Sequence, residues 1–262
     1  MTARMTSTPT EPTLRDRRAL VTGSSRNLGA EIARSLARRG AVVAVTYHES
    51  GAEAAALIAE LRAMTGIEHH AVQADLSDPD RVAGMVDAAG ELMGGPLEIL
   101  VNNHGPFAMD PLHLISSEDF DRVMNGNLTV ALRAVQQVVP GMRAGGWGRI
   151  VNLAAGSAYV RNHSVYGLVK SAICTLTESL ALELGPEITV NAVAPGQISE
   201  SADDIADIDP TFVDRALAHT PARRLVSRQE IAEIVASVCG PPFDLLNGAV
   251  IPIDGGWRLN RF

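Results

Sequence analysis

The sequence predicts an α/β fold built on one doubly wound parallel sheet of about seven strands, with helices on both faces. Seven short apolar runs alternate with longer segments of helical period. The runs hold mainly Val, Ile and Ala without strict polar alternation, as strands buried on both faces do. No linker-like stretch interrupts the alternation, so right-handed crossovers within one sheet are expected. The chain has 262 residues, 46% of them apolar and 20% charged. That is enough to bury a full core without staples.

Strands are expected at 19–22, 41–46, 70–74, 97–101, 149–153, 189–193 and 249–253. Helices are expected between them. The first, 27–39, stops at Gly40, and the second, 52–64, at Gly66. The third, 80–92, follows Ser77-Asp78-Pro79, a cap and a first-turn proline. Ser116 with Asp119 resembles a capping box opening 118–143. Gly185-Pro186 ends 164–184, and Gly240 follows 228–238. Residues 1–17, rich in Thr, Pro and Arg, read as a flexible extension ahead of one domain, 18–262. Residues 197–226 are acidic and hold two prolines. Such a stretch is a lid or a solvated surface excursion.

The net charge of −8 argues against a nucleic-acid partner, which would need a basic face. Cys174 and Cys239 are too few for a disulfide framework and have no metal-ligand spacing, which fits a reducing, cytoplasmic setting. No apolar run approaches a membrane span. The seven histidines show no metal spacing, so no metal is expected.

Two constellations carry chemistry. The first is the turn Thr22-Gly23-Ser24-Ser25-Arg26-Asn27-Leu28-Gly29, between the first strand and the first helix. Gly23 allows a tight turn and Gly29 close helix–strand packing, while the helix N-terminus offers N–H groups and a positive dipole to a pyrophosphate. The second strand ends Tyr47-His48-Glu49-Ser50. With Arg26, the His48 and Ser50 side chains favour a ribose 2′-phosphate, hence NADP(H). Glu49, about 20 residues after Gly29, has the spacing of an NAD(H) ribose acid and is the counter-sign.

The second constellation is Tyr166 and Lys170, four apart in an expected helix and so on one face. Of 22 basic residues, 21 are arginine and Lys170 is the only lysine. A compact ammonium suits a tight site that a planar guanidinium does not. A phenol of pKa about 10 is a poor base at neutral pH, and a nearby cation favours phenolate. Tyr166 is then expected to give a proton to a carbonyl oxygen as hydride arrives, and to accept it in reverse.

Taken together, the chain from Arg18 to Trp257 resembles the short-chain dehydrogenase/reductase family. The glycine turn is similar to the family's, with Asn27 at the middle glycine. Asp75 resembles the acid that contacts adenine, with Leu76 beside it. Asn102-Asn103-His104-Gly105 resembles the stretch after the fourth strand. Asn127 matches a helix asparagine that holds a relay water, and Tyr166 and Lys170 match the Tyr-x-x-x-Lys pair. Pro195-Gly196, with Ile198 two residues on, matches the nicotinamide-side turn, and Asp254-Gly255-Gly256 the C-terminal ending. The resemblance implies a Rossmann-type fold, a nicotinamide cofactor and a homo-tetramer or homo-dimer. Within the family, Tyr47-His48-Glu49-Ser50 and the Asn102-Asn103 stretch with Phe107 look closest to pteridine reductases and 3-oxoacyl-carrier-protein reductases, which points to NADPH.

The chain departs from the family at one catalytic position. The family usually ends its fifth strand in a serine about 13 residues before the tyrosine. Leu153, Ala154 and Ala155 have no hydroxyl, and Ser157 is the nearest candidate. Either Ser157 reaches the site, or a substrate hydroxyl replaces the serine, or ordinary reductase activity is lost. Losing one oxyanion donor costs about 10²–10³ in rate. The expected function is NADPH-dependent reduction of a small organic carbonyl compound. Tyr166 is the proton donor, Lys170 holds the ribose and tunes the phenol, and Asn127 supports a relay. The alternative is a dehydratase, epimerase or cofactor-binding protein without net redox turnover. A methyltransferase would leave Tyr166 and Lys170 without a role. His104 is expected near the cofactor or packed in its loop. His163 reads as structural, Arg161 as surface, and Trp147 and Trp257 as packing residues. The acidic lid disfavours polyanionic substrates, an acyl carrier protein included.

Overall fold

The computed structural model describes residues 13–108, 110–159, 164–202 and 210–259. Arg161, His163 and positions 203–209 of the acidic stretch lie outside them. The strands are β1 (Arg18–Val21), β2 (Val42–Tyr47), β3 (His70–Gln73), β4 (Ile99–Asn102), β5 (Gly148–Leu153), β6 (Ile188–Pro195) and β7 (Val250–Ile253). They form one seven-stranded sheet in the order β3-β2-β1-β4-β5-β6-β7. Every pairing is parallel. All seven expected strands are present, displaced by no more than two residues at any end.

The helices are α1 (Asn27–Arg38), α2 (Gly51–Thr65), α3 (Val82–Leu92), α4 (Ser117–Met124), α5 (Val130–Ala144), α6 (Val165–Leu184), α7 (Phe212–His219) and α8 (Arg228–Val238). They cover the sheet from two sides. Ile32, Leu36, Leu61, Ile231 and Val235 fill one layer against Val43, Val101 and Val151. Val86, Val135, Val138 and Leu180 fill the other against Leu20, Leu100 and Ile150. Each such aliphatic side chain removed from water contributes about 1.5–3 kcal/mol before entropy is counted. With both faces covered, the strands have no polar face to show, which is why their sequences lack alternation.

Three expectations are corrected. The helix expected at 118–143 is two helices joined by a π turn at Asn125–Thr129. The Asn127 side chain donates to the carbonyl of Val123, four residues back, and to that of Pro106. It thereby takes an acceptor from the helical ladder, which opens the turn. The extension expected over residues 1–17 is ordered in its last part, where the chain already joins the fold. Leu14 is 1% exposed within the core, and its N–H donates to the Arg39 carbonyl. Finally, α6 is long and apolar enough to cross a membrane by length and composition. Here Val169, Ile173, Thr177, Leu180 and Leu184 on it are buried.

The sheet order reverses between β1 and β4. In such sheets the crevice beyond the strand C-termini at that point is where ligands bind. Val21 pairs with both Val45 and Val101, so the loops leaving β1, β2 and β4 start level.

Candidate active site

The loop after β1 is fastened by hydroxyls. The Gly23 N–H donates to Thr46 Oγ1 (2.8 Å), and the Thr46 N–H donates to Ser24 Oγ (3.0 Å). Thr22 Oγ1 accepts from the N–H groups of Asn103 and His104, both at 3.0 Å. The Asn103 amide donates to the carbonyls of Thr22 and Gly23. Gly29 then seats α1 directly on the turn: a Cβ there would lie 2.5 Å from the Gly23 carbonyl oxygen. Asn27, at the family's glycine position, adopts a φ of +53°, a left-handed conformation that asparagine tolerates.

Unlike α4, α6 and α8, whose first turns are capped by Ser116, Ser164 and Ser227, α1 has no side-chain cap and no acid in its first turn. Its first N–H groups and positive dipole end are left open. They border a cleft of about 610 Å³ that collects Gly23, Ser25, Arg26, Asn27, Leu28, Gly29, Tyr47, His48, Ser50, Asn103, His104 and Gly105. Ser25 and Ser50 join hydroxyls across it at 2.7 Å. Glu49 and Glu53 also line it. An adjoining cavity of about 220 Å³ brings Asp75 and Leu76 to Gly23, Tyr47, His48 and His104. Ser77 donates to Asp75 from its hydroxyl and its N–H, which holds that carboxyl below the usual range. Burial, with the Lys170 charge, holds His104 below the usual histidine range, so its ring is neutral at neutral pH.

The second constellation lies beside the first. Tyr166 is half-buried at the start of α6, and its ring meets the edge of Phe107 at 6.3 Å. Lys170 is buried, with Nζ 5.4 Å from the Tyr166 ring centre and donating to the Leu153 carbonyl at 2.7 Å. The loop after β4 connects the two regions. Gly105 packs on the Asn127 amide so closely that any Cβ there would collide with it. Pro195 and Gly196 at the end of β6 approach Gly156, and Ile198 bridges to Val226. Ser157 Oγ is buried with no hydrogen-bond partner among the described residues.

Lys170 does not lower the phenol as expected. Burial pushes Tyr166 up to about 12, and burial also brings Lys170 down to about 8. Removing solvent from both groups disfavours both charged forms, and the ammonium spends its donor on the Leu153 carbonyl. Thr46 and Glu53 line the cleft as well and stand outside both sequence constellations.

The chain is similar to proteins of known sequence and structure. A family model described as enoyl-(acyl carrier protein) reductase matches residues 23–258. The chain is 34% identical to the 3-oxoacyl-(acyl-carrier-protein) reductase MabA of Mycobacterium tuberculosis, over 98% of this chain and all of that one. It is 32% identical to a tropinone reductase homolog of Arabidopsis thaliana, over 93% of each. Among solved structures, a short chain dehydrogenase from Burkholderia cenocepacia in complex with NADP superposes with a TM-score of 0.83 at 35% identity, covering 94% of this chain and 99% of that one. A short-chain dehydrogenase/reductase from Serratia marcescens gives 0.85 at 33% identity, covering 94% and 99%. With the parallel sheet, the glycine turn and the Tyr166–Lys170 helix in place, the chain belongs to the short-chain dehydrogenase/reductase family.

Proposed function

We propose that the protein reduces a carbonyl group of a small organic substrate with NADPH. One observation carries the reading: the uncapped α1 cleft and the Tyr166–Lys170 pair lie at the same end of the sheet, with the loop after β4 between them. The residues present fit a dinucleotide. Gly29 lets backbone approach backbone where a Cβ would collide, and the free N–H groups of α1 suit a pyrophosphate. Arg26, His48 and the Ser25–Ser50 hydroxyl pair would hold a 2′-phosphate, and Asp75 and Leu76 the adenine. NADH is the second choice, through Glu49. A neighbour solved with NADP supports the order of preference. When bound, the cofactor supplies a hydride.

The protein's own residues do the rest. Tyr166 stays protonated at neutral pH, since burial holds its phenol up to about 12. It is therefore a donor for the oxygen of a carbonyl undergoing reduction, more than a base for the reverse. Lys170 keeps its ammonium below about pH 8, and its remaining donors are free to hold ribose. Asn127 Oδ1, buried and without a partner, suits a relay water. Ser157 Oγ, in the same condition, stands in for the family serine as a donor to the carbonyl oxygen. Free cysteines fit a cytoplasmic setting, and the exposed Leu182 and Leu245 fit a homo-dimer or homo-tetramer.

Nicotinamide fluorescence with NADPH and NADH, then a carbonyl screen, tests the reading. Tyr166→Phe is expected to bind NADPH as the parent does and to lose at least about 10³ in turnover. Unchanged turnover removes Tyr166 from the mechanism. Binding of neither nucleotide removes the reading.

A further inference from the structure

We propose that Arg122 binds the purine ring of the nucleotide by stacking its guanidinium on the base; this rests on the cofactor reading above. No sequence motif marks Arg122. It lines the smaller cavity together with Asp75, Leu76, His104 and Pro106. At about 220 Å³ that cavity lies below the range of about 300–1,000 Å³ that takes whole ligands. A single flat base suits it, with apolar contact from Leu76 and Pro106.

The guanidinium is held in one orientation. Its Nε and Nη2 both donate to Asp119 Oδ1, at 3.2 and 2.8 Å. Asp119 is fixed in turn by the Ser116 hydroxyl and N-cap, in the first turn of α4. These contacts lie in the guanidinium plane. Among the described residues the guanidinium faces no aromatic ring of the protein, whereas Arg17, Arg149 and Arg258 each lie over one. A planar cation with an open face at the wall of a base-sized cavity is a stacking platform. A lysine, a point charge on a flexible stem, would not be one.

The test separates stacking from charge. The probes are adenosine, which has a purine and no charge, and nicotinamide mononucleotide, which has a charge and no purine. Each is titrated against wild type, Arg122→Gln and Arg122→Lys. Arg122 is exposed on α4, and thermal melting confirms that the variants fold. Adenosine affinity is expected to fall about fivefold in Arg122→Gln and to be only partly restored in Arg122→Lys, with the mononucleotide unchanged. Equal losses for both probes, or full restoration by lysine, would mean charge alone and overturn the proposal. Unchanged adenosine affinity in Arg122→Gln overturns it too, while NADPH binding by wild type leaves the cofactor reading intact. A wild type that binds neither NADPH nor adenosine overturns both.

Discussion

The two ends of the same sheet differ in how their charges are held. At the N-terminal end the charges are paired. Glu98 takes Arg17 at 2.5 Å and Arg18 at 3.1 Å, and Arg149 takes Asp244 at 2.7 Å. Trp147 lies between two of these cations, 3.9 Å from Arg17 and 4.3 Å from Arg149. At the C-terminal end, among the described residues, Lys170 donates to one carbonyl, and the oxygens of Asn102, Asn127 and Ser157 are buried without partners. A buried polar atom without a partner costs about 1–3 kcal/mol. Buried polar atoms without partners among the described residues occur at both ends, Arg149 Nε and Thr189 Oγ1 at the first, so what sets the C-terminal end apart is a buried ammonium with no counter-charge among the described residues.

The contrast is sharpened by breaking it at each end. The largest effect is expected at the open end. Ser157→Ala should leave the melting temperature unchanged or raised, since it deletes an unsatisfied hydroxyl, yet lower kcat about 10²–10³-fold. A kcat equal to the parent's shows that this hydroxyl serves no oxyanion. At the closed end Asp244→Ala should do the reverse. Arg149 is 5% exposed and loses its counter-charge. Because the Asp244 carboxylate is itself largely solvated, the loss in unfolding free energy is held to about 2 kcal/mol by urea titration, with kcat/KM unaltered.

The smallest effect at neutral pH lies at the N-terminal end too, beside β2 and β3. His69 accepts from the Val43 N–H and meets the Thr65 hydroxyl, and burial holds it down to about 4. The folded value lies below the unfolded one near 6.5, so the unfolded chain takes up a proton first as pH falls. The stability that neutral His69 contributes is complete above pH 6.5 and is lost between 6.5 and 4. The slope is at most about 1.4 kcal/mol per pH unit. His69→Gln, which cannot titrate, should flatten that part of the stability curve. An unchanged curve assigns the acid sensitivity elsewhere.

The strands were legible because a strand buried on both faces has a composition that little else has. The glycine turn and Tyr166–Lys170 were legible because both are fixed spacings within one element. The features that stayed hidden needed a partner from elsewhere in the chain. Leu14 is one apolar residue among polar ones and shows no period, so only its contact with the core reveals it. Thr46 looks like an ordinary strand residue until the Gly23 N–H donates to it. Spacing placed Lys170 beside Tyr166 correctly. It said nothing of the Leu153 carbonyl, which redirects the ammonium, or of the burial that raises the phenol. Counting back from Tyr166 made Ser157 the nearest candidate hydroxyl, but its lack of a partner among the described residues is visible only in three dimensions.

The π turn at Asn125–Thr129 has a consequence for helical phase. An α-helix repeats every 3.6 residues, and one widened turn inserts an extra residue, about 100° of rotation, between the helical segments on its two sides. Val123 before the turn is buried beside Val165 and Val169 of α6, and Val130, Ala134 and Val138 after it face other neighbours across the sheet. To the solvent, 117–144 is a single rod; to the core it is two rods out of step. The amide of Asn127 sits where the step is taken, so the residue that sets the phase is also the one that reaches the loop beneath the site.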